Sequence, residues 1–415
     1  MADPHSDSAK ATDHDPRMRA SSPKPAPRSL RLTRRRLVSV GVGAAVLARS
    51  GRRGAGAPTG TFVQATPIGL STPAATPALA VPGFEDPTRW AGRTLHVGAW
   101  GGEVQDALRE AVWEPFAVAT GCALQEVITD YSRLRLDLDA GRPAEGVLVV
   151  DPIWAATALD NGYVQMIAGD VVEREAISPI RADAGSVPAF AYAMVDAFRW
   201  DGTPGNPPKT WTEWWDHARF PGPRGLQRGA LGTFEFALLA DGVRPDQLYP
   251  LDGARAIESL KRISGQIIDR WWDSGAEPVA WLSRGRVDFV SSWHYRVVAG
   301  QYNGYPIDLV WNQGLLVADR WVVLPGEEER DVAFDFLRYA TTPEVQAALA
   351  RRVPLGPTNR AAFDLLDART AARLPTSPAN LGGLIHQNVR WWADNNVEAN
   401  QRFNNWLLGV PDASG

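Results

Sequence analysis

The sequence predicts an α/β fold in two lobes, and three observations carry that prediction. The chain has 415 residues, too many for one small domain. Its apolar strand stretches, above all the continuous run Gly146 to Val150, alternate with amphipathic helical stretches. That alternation marks a parallel sheet covered on both faces. The composition, 45% hydrophobic and 22% charged, is globular rather than fibrous or disordered.

The body begins near Arg93. Thr94 to Trp100 alternates and runs into Gly101-Gly102, which predicts a strand and a turn. Val104, Leu108, Val112 and Phe116 lie four apart and predict a helix over Val104 to Val118. Ala123 to Ile128 and Gly146 to Val150 are the next two strands. In an open sheet of this kind ligands sit beyond the carboxyl ends of strands. Trp100-Gly101-Gly102, the turn Thr129-Asp130-Tyr131 and Asp151 therefore share one rim. A second block begins near Phe198. A helix opens at Trp211 after Pro207-Pro208, and Phe220 to Arg224 is a sharp loop. Phe234 to Leu239 leads into a helix stopped by Gly242. Arg255 to Trp272 reads as one long amphipathic helix, and Val287 to Trp293 as a strand. Pro306 to Trp311 and Leu315 to Leu324 are two further strand candidates. Helices follow at Val332 to Tyr339, at Val345 to Ala350 and at Asn388 to Leu408. Tryptophan is abundant, 17 residues. Trp211, Trp214, Trp215, Trp271, Trp272, Trp391 and Trp392 fall at helical spacing and read as structural.

The N-terminus differs in kind. Residues 1–30 are polar, without an apolar period. Thr33-Arg34-Arg35-Arg36 precedes a short apolar run, Leu37 to Ala48, and a small-residue end at Ala55-Gly56-Ala57. This resembles a twin-arginine export signal, too short to span a membrane. Residues 58–91, with repeated Thr-Pro and Ala-Thr-Pro steps, read as an extended linker. The net charge of −4 averages two unlike parts. Residues 1–57 hold 12 basic and 4 acidic residues, and the remainder 31 basic and 43 acidic, so the body carries −12. Such a body is no general nucleic-acid binder and favours a cationic ligand.

Several chemistries lack their motifs. There is no P-loop, no dinucleotide fingerprint, no Gly-x-Ser-x-Gly elbow and no histidine pair at metal-helix spacing. The single cysteine, Cys122, makes no intrachain disulfide. No catalytic residue, metal site or cofactor is expected.

Ordered motifs run over roughly residues 92–408. They are Ala99 to Gly102, Trp113-Glu114-Pro115-Phe116, Phe220-Pro221-Gly222, Glu235 to Val243, Leu248 to Asp252, Trp311-Asn312-Gln313-Gly314 and Gly356-Pro357-Thr358-Asn359. In these the chain resembles the periplasmic solute-binding proteins of ABC importers, in particular the spermidine/putrescine-binding branch. The resemblance implies the two-lobed type II periplasmic-binding-protein fold, with ligand closed in a cleft between the lobes. It also implies a permease and an ATPase as partners, export to the periplasm or outer cell surface, and a monomer. Lobe 1 would take residues 92–194 and 296–345, and lobe 2 residues 195–295 and 346–410.

A polyamine site needs aromatic faces and carboxylates for its ammonium groups. Trp100, Gly101, Tyr131, Trp293 and Trp311 lie at strand ends or turns, and the carboxylates in order of preference are Glu235, Asp151 and Asp319. Each also has a structural reading: the aromatics as core or turn residues, Glu235 and Asp151 as helix caps. Where the resembled branch commonly has Trp-Asn-Gly after the strand ending at Trp293, this chain has His294-Tyr295-Arg296. Arg296 would repel a diamine and attract a carboxylate, and His294 would add a pH-dependent charge. A receptor for an amino acid derivative, sugar or organic anion, and a secreted hydrolase, are the alternatives.

Overall fold

Alternation along Thr94–Ala99 (β1) turns Leu95, Val97 and Ala99 into the interior. Gly101 and Gly102 then take positive φ, 87° and 70°, and turn the chain into helix α1, Gly102–Leu108. One π-helical turn, Arg109–Trp113, joins it to α2, Glu114–Thr120. The computed structural model describes residues 79–141, 146–169, 171–172, 180–202, 206–265 and 268–410. The expected export signal over 1–57 and the linker as far as residue 78 lie outside the described residues.

The remaining elements of the first half are β2 (Ala123–Ile128), α3 (Tyr131–Asp139), β3 (Val147–Val150), α4 (Pro152–Asp160) and β4 (Val187–Arg199). Next come α5 (Trp211–Trp215), β5 (Arg224–Gln227), α6 (Thr233–Ala240), α7 (Gly253–Ile263), β6 (Ile268–Trp272) and α8 (Glu277–Ser283). The last strands and helices are β7 (Phe289–Trp293), α9 (His294–Tyr302), β8 (Ile307–Val323), α10 (Arg330–Ala340), α11 (Pro343–Arg352), α12 (Ala368–Ala371), α13 (Pro378–Leu381), β9 (Ile385–His386) and α14 (Val389–Leu407).

All the strands join one sheet in the order β2-β1-β3-β8-β4-β7-β5-β6, with β9 on β8. Its two wings are parallel, β2-β1-β3 and β7-β5-β6. The long strands β4 and β8 run antiparallel between them and carry the sheet from one wing to the other. Two main hydrophobic cores follow from this. One gathers Trp113, Phe116, Trp321, Phe336 and Tyr339, the other Trp211, Trp214, Phe234, Trp272, Trp392 and Phe403. The tryptophan excess is largely core: six of these indoles are 2% exposed or less.

Several expectations need correction. The helix expected from Arg255 to Trp272 is α7 followed by strand β6, because Ser264 leaves helical geometry and Gly265 takes φ 74°. The two strand candidates after Pro306 are one strand, β8, broken only by an irregularity at Gln313, φ 61°. Arg224, expected in a loop, opens β5. Strand β4 and helix α9 have no counterpart among the expected elements. Residues 79–91 are not linker: Val81 and Phe84 are buried in the first core, and Phe84 meets Tyr339 edge to face at 5.0 Å. Val297 joins the second core while Leu349 and Val353 join the first, so the packing crosses the expected lobe limits at 296 and 345.

Gly98 sits where β1 is flanked on both sides. A Cβ there would lie 2.5 Å from the Val127 carbonyl oxygen and 2.9 Å from Leu148 Cδ2. Gly98→Ala is expected to cost about 1–3 kcal/mol by overpacking, read as a lower urea midpoint with an unchanged slope.

Candidate functional site

The carboxyl ends of β1, β2 and β3 form one rim, and the residues just past them are joined by hydrogen bonds. Trp100 Nε1 donates to the Tyr131 hydroxyl oxygen at 2.9 Å, and so does the Asp151 backbone N–H at 2.9 Å. Tyr131 also stacks on Trp154, ring centroids 5.5 Å apart and 18° from parallel. Trp100 is 37% exposed, so the indole is held by Tyr131 and still open to a solute. The N–H of Gly101 donates to Gln105 Oε1 at 2.8 Å, which fixes the turn beneath that indole.

Asp151 opens α4. Its Oδ1 accepts the Trp154 N–H at 2.8 Å, a helix cap. Asp319 lies one step beyond the antiparallel pair Val150–Arg320, which sets it opposite Asp151 on the neighbouring strand. It is 3% exposed, and Tyr192 donates to its Oδ1 at 2.9 Å. Burial first, then the charge of Asp151, push the Asp319 carboxyl well above the usual carboxylate range. Burial also raises Asp151, against the hydrogen bonds from Trp154 N–H and the Tyr131 hydroxyl that lower it. Among the described residues neither carboxylate has a salt-bridge partner.

Tyr192 links this pair to the other wing. Its ring meets Trp293, at the carboxyl end of β7, edge to face at 5.1 Å, and Tyr295 at 6.2 Å. Arg296 lies over the Tyr295 ring at 5.2 Å and donates to Glu103 of α1 at 3.1 Å. The result is an acidic pair walled by Tyr131, Tyr192, Trp293 and Tyr295, with a guanidinium at its edge. Carboxylates beside aromatic faces suit an ammonium group.

The structure thus brings together Trp100, Gly101, Tyr131, Asp151, Asp319 and, through Tyr192, Trp293. Two sequence candidates lie elsewhere. Glu235, the first-choice carboxylate, is fully buried in the second core. It accepts from Gly232 N–H at 2.9 Å, Tyr249 hydroxyl at 2.7 Å and Trp392 Nε1 at 2.8 Å, and so ties α6 to α14. Trp311 packs on the opposite face of β8 with Leu316, Leu381 and Leu384, its ring 5.3 Å from His294. His294 also departs from expectation. It is fully buried, accepts the Ala193 N–H at Nδ1 and holds Pro354 oxygen at 2.7 Å through Nε2. Burial drops it to about 4, so it is a neutral strut, not a charge switch.

Sequence reading missed Tyr192, Trp154 and Tyr295. Their signals were the Phe190-Tyr192-Met194 alternation within an unrecognised strand, the cap spacing from Asp151 to Trp154, and the segment where the chain departs from the branch it resembles.

With fold and site in place, comparison with known proteins defines the class. Residues 114–376 match the model of the bacterial extracellular solute-binding protein family, and this chain belongs to that family. It is 30% identical over 326 residues to a gamma-aminobutyric acid-binding protein of Pseudomonas aeruginosa, covering 76% of this chain and 91% of that one. Two solved structures share the fold. The Atu4243-GABA receptor is 30% identical with TM-score 0.71, covering 78% of this chain and 100% of the other. An ABC transporter substrate-binding protein from Bradyrhizobium japonicum is 28% identical with TM-score 0.70, covering 76% and 100%. The expected α/β fold and the solute-binding-protein family hold; the spermidine/putrescine branch does not come with them. Among the described residues no helix is long and apolar enough to cross a membrane.

Two predictions follow from the buried groups. Glu235→Gln keeps one acceptor oxygen and sets an NH₂ against the donors of the other, the Gly232 N–H or the Tyr249 and Trp392 pair, so stability falls by about 1–3 kcal/mol while solute affinity stays within about twofold. Lost affinity at unchanged stability would return Glu235 to the site. For His294 the folded value is depressed, so below its ordinary 6.5 the unfolded chain takes up a proton that the folded chain refuses. Stability is full above that value and falls as pH drops toward about 4, by up to about 3 kcal/mol. Denaturation of His294→Gln, compared at about pH 7 and pH 4.5, is expected to lose that share of the pH dependence.

Proposed function

We propose that this protein is the solute receptor of an ABC importer and that its solute is a small zwitterion with a primary ammonium, of the ω-amino acid class that includes GABA. The observation that carries this reading is the Asp151–Asp319 pair. Two carboxylates side by side, one of them buried, meet only hydroxyl and backbone N–H donors. That arrangement is costly unless a cation joins it. The aromatic walls supply the rest of an ammonium site. Arg296, beside Tyr295, supplies a carboxylate partner at the edge of the same cluster. The names of the P. aeruginosa relative and of the Atu4243 receptor agree with that charge pattern.

A polyamine is the second reading. The acidic pair and the body charge of −12 favour it, and Arg296 opposes it, because a diamine offers nothing to a guanidinium. In either reading the receptor would close its two lobes on the solute and present it to a permease and ATPase. The Arg34-Arg35 segment would direct export, and the receptor would act as a monomer.

Calorimetry with GABA, shorter and longer ω-amino acids, putrescine and spermidine separates the readings. GABA or a near homologue is expected to bind most tightly. Asp319→Asn is expected to weaken it about ten- to hundredfold, as for loss of a charge-assisted bond, and Arg296→Ala is expected to weaken GABA but not putrescine. Tight binding of a diamine with indifference to Arg296 would replace the first reading by the second.

A further inference from the structure

Like charges cannot both ionise cheaply in a closed space, and Asp151 and Asp319 face this problem directly. They occupy neighbouring positions, Asp151 just past the end of β3 and Asp319 within β8, and their surroundings are unequal. Asp151 has a helix N-terminus behind it, the Trp154 N–H at 2.8 Å and the Tyr131 hydroxyl, all of which favour its anion. Asp319 is 3% exposed and has only the Tyr192 hydroxyl. Such inequality divides a pair into one charged and one protonated member.

The other ionisable groups do not relieve it. Tyr131 of α3 and Tyr192 of β4 face the pair with hydroxyls that burial keeps neutral. Tyr295 of α9 stands beyond Tyr192. Glu103 of α1 and Arg296 of α9 lie past Tyr295 and pair with each other. Arg320, next to Asp319 along β8, points to the other face of the strand, where it bonds Ser186 and Asp183.

We propose that solute capture exchanges one proton: Asp319 is protonated in the free protein, and the arriving ammonium takes that proton's place while the proton leaves to solvent. This rests on the ammonium reading of the site and adds its regulation. A receptor built so holds its solute more weakly in an acidic compartment, and binding itself acidifies the medium. Affinity falls up to tenfold for each unit of pH below the pair's titration and is flat above it.

The test is calorimetry of the wild-type protein with GABA and with putrescine in pairs of buffers with different heats of ionisation, acetate against MES at the acidic end and phosphate against Tris at the neutral end, from about pH 5 to 8. The expected result is a buffer-dependent heat equal to about one proton released per solute at the acidic end, fading as pH rises. Infrared difference spectra should lose a protonated-carboxyl band on binding. Asp319→Asn should abolish both signals in whatever binding remains, and the wild-type measurements stand even if that variant folds poorly. An amine that binds with buffer-independent heat and pH-flat affinity overturns the exchange and leaves the receptor reading intact. No heat with either amine overturns the ammonium reading, and the exchange falls with it.

Discussion

The pairing of β4 with β8 is the constraint on which the rest depends. The two strands pair from Val187–Trp321 to Arg199–Ile307, through two shifts of register, over a longer stretch than any other pair in the sheet. Each wing of the sheet hangs from one end, and each hydrophobic core forms around the wing it covers. The same pairing sets the acidic pair. Asp319 is a β8 residue, and Tyr192 is the β4 residue that hydrogen-bonds it. Where the strands of the two wings stop, at Val150 and at Trp293, these two continue, joined only by the short β9, and the aromatic residues gather at those stops.

Arg224, Glu235 and His294 are buried polar groups that act as struts, each with its partners present. Arg224 is fully buried, yet its guanidinium donates to the Trp214, Gly222 and Phe220 carbonyls and lies over the Phe289 ring at 4.9 Å. Glu235 has three donors, and His294 has both ring nitrogens engaged. A buried polar group with its partners present fixes geometry. Asp319 has one neutral donor and a second carboxylate beside it, whereas Asp196, also held by one donor, the Trp214 indole N–H, has the Arg224 guanidinium as a charge partner.

The sequence made the first wing legible because its strands are short, apolar and bounded. Ala123–Ile128 was read with its observed limits, and Thr94–Ala99 within one residue. Three rim residues, Trp100, Tyr131 and Asp151, follow from strand ends alone. The crossing strands were harder. β4 carries Pro188 at the start of its apolar run, which argues against a strand, and Asn312-Gln313-Gly314 looks like a break although β8 passes through it. There Gln313 accepts the Trp211 backbone N–H at Oε1 and the Trp211 indole N–H at its carbonyl, so the irregularity anchors α5 without ending the strand. The preference for Glu235 over Asp319 had a similar cause. A carboxylate three residues past a glycine announces itself in sequence whether it caps a helix or meets a ligand, while Asp319 sits inside a strand with no local mark. Its meaning depends on Asp151, 168 positions earlier.

Burial and pairing explain how one cluster can discriminate charge. An exposed carboxylate attracts any cation and holds none of them well, because water competes for both partners. A buried pair pays no such competition once filled, but it resists ionisation until a cation arrives. Binding therefore selects on two terms, the full positive charge of an ammonium and the exclusion of water by the Tyr131, Tyr192 and Trp293 faces. A neutral solute of the same shape meets the second term and fails the first. A hydrated metal ion meets the first and cannot use the aromatic walls. A diamine meets both at one end and leaves its second charge to find a partner, whereas an ω-amino acid brings a carboxylate to the side where Arg296 already stands.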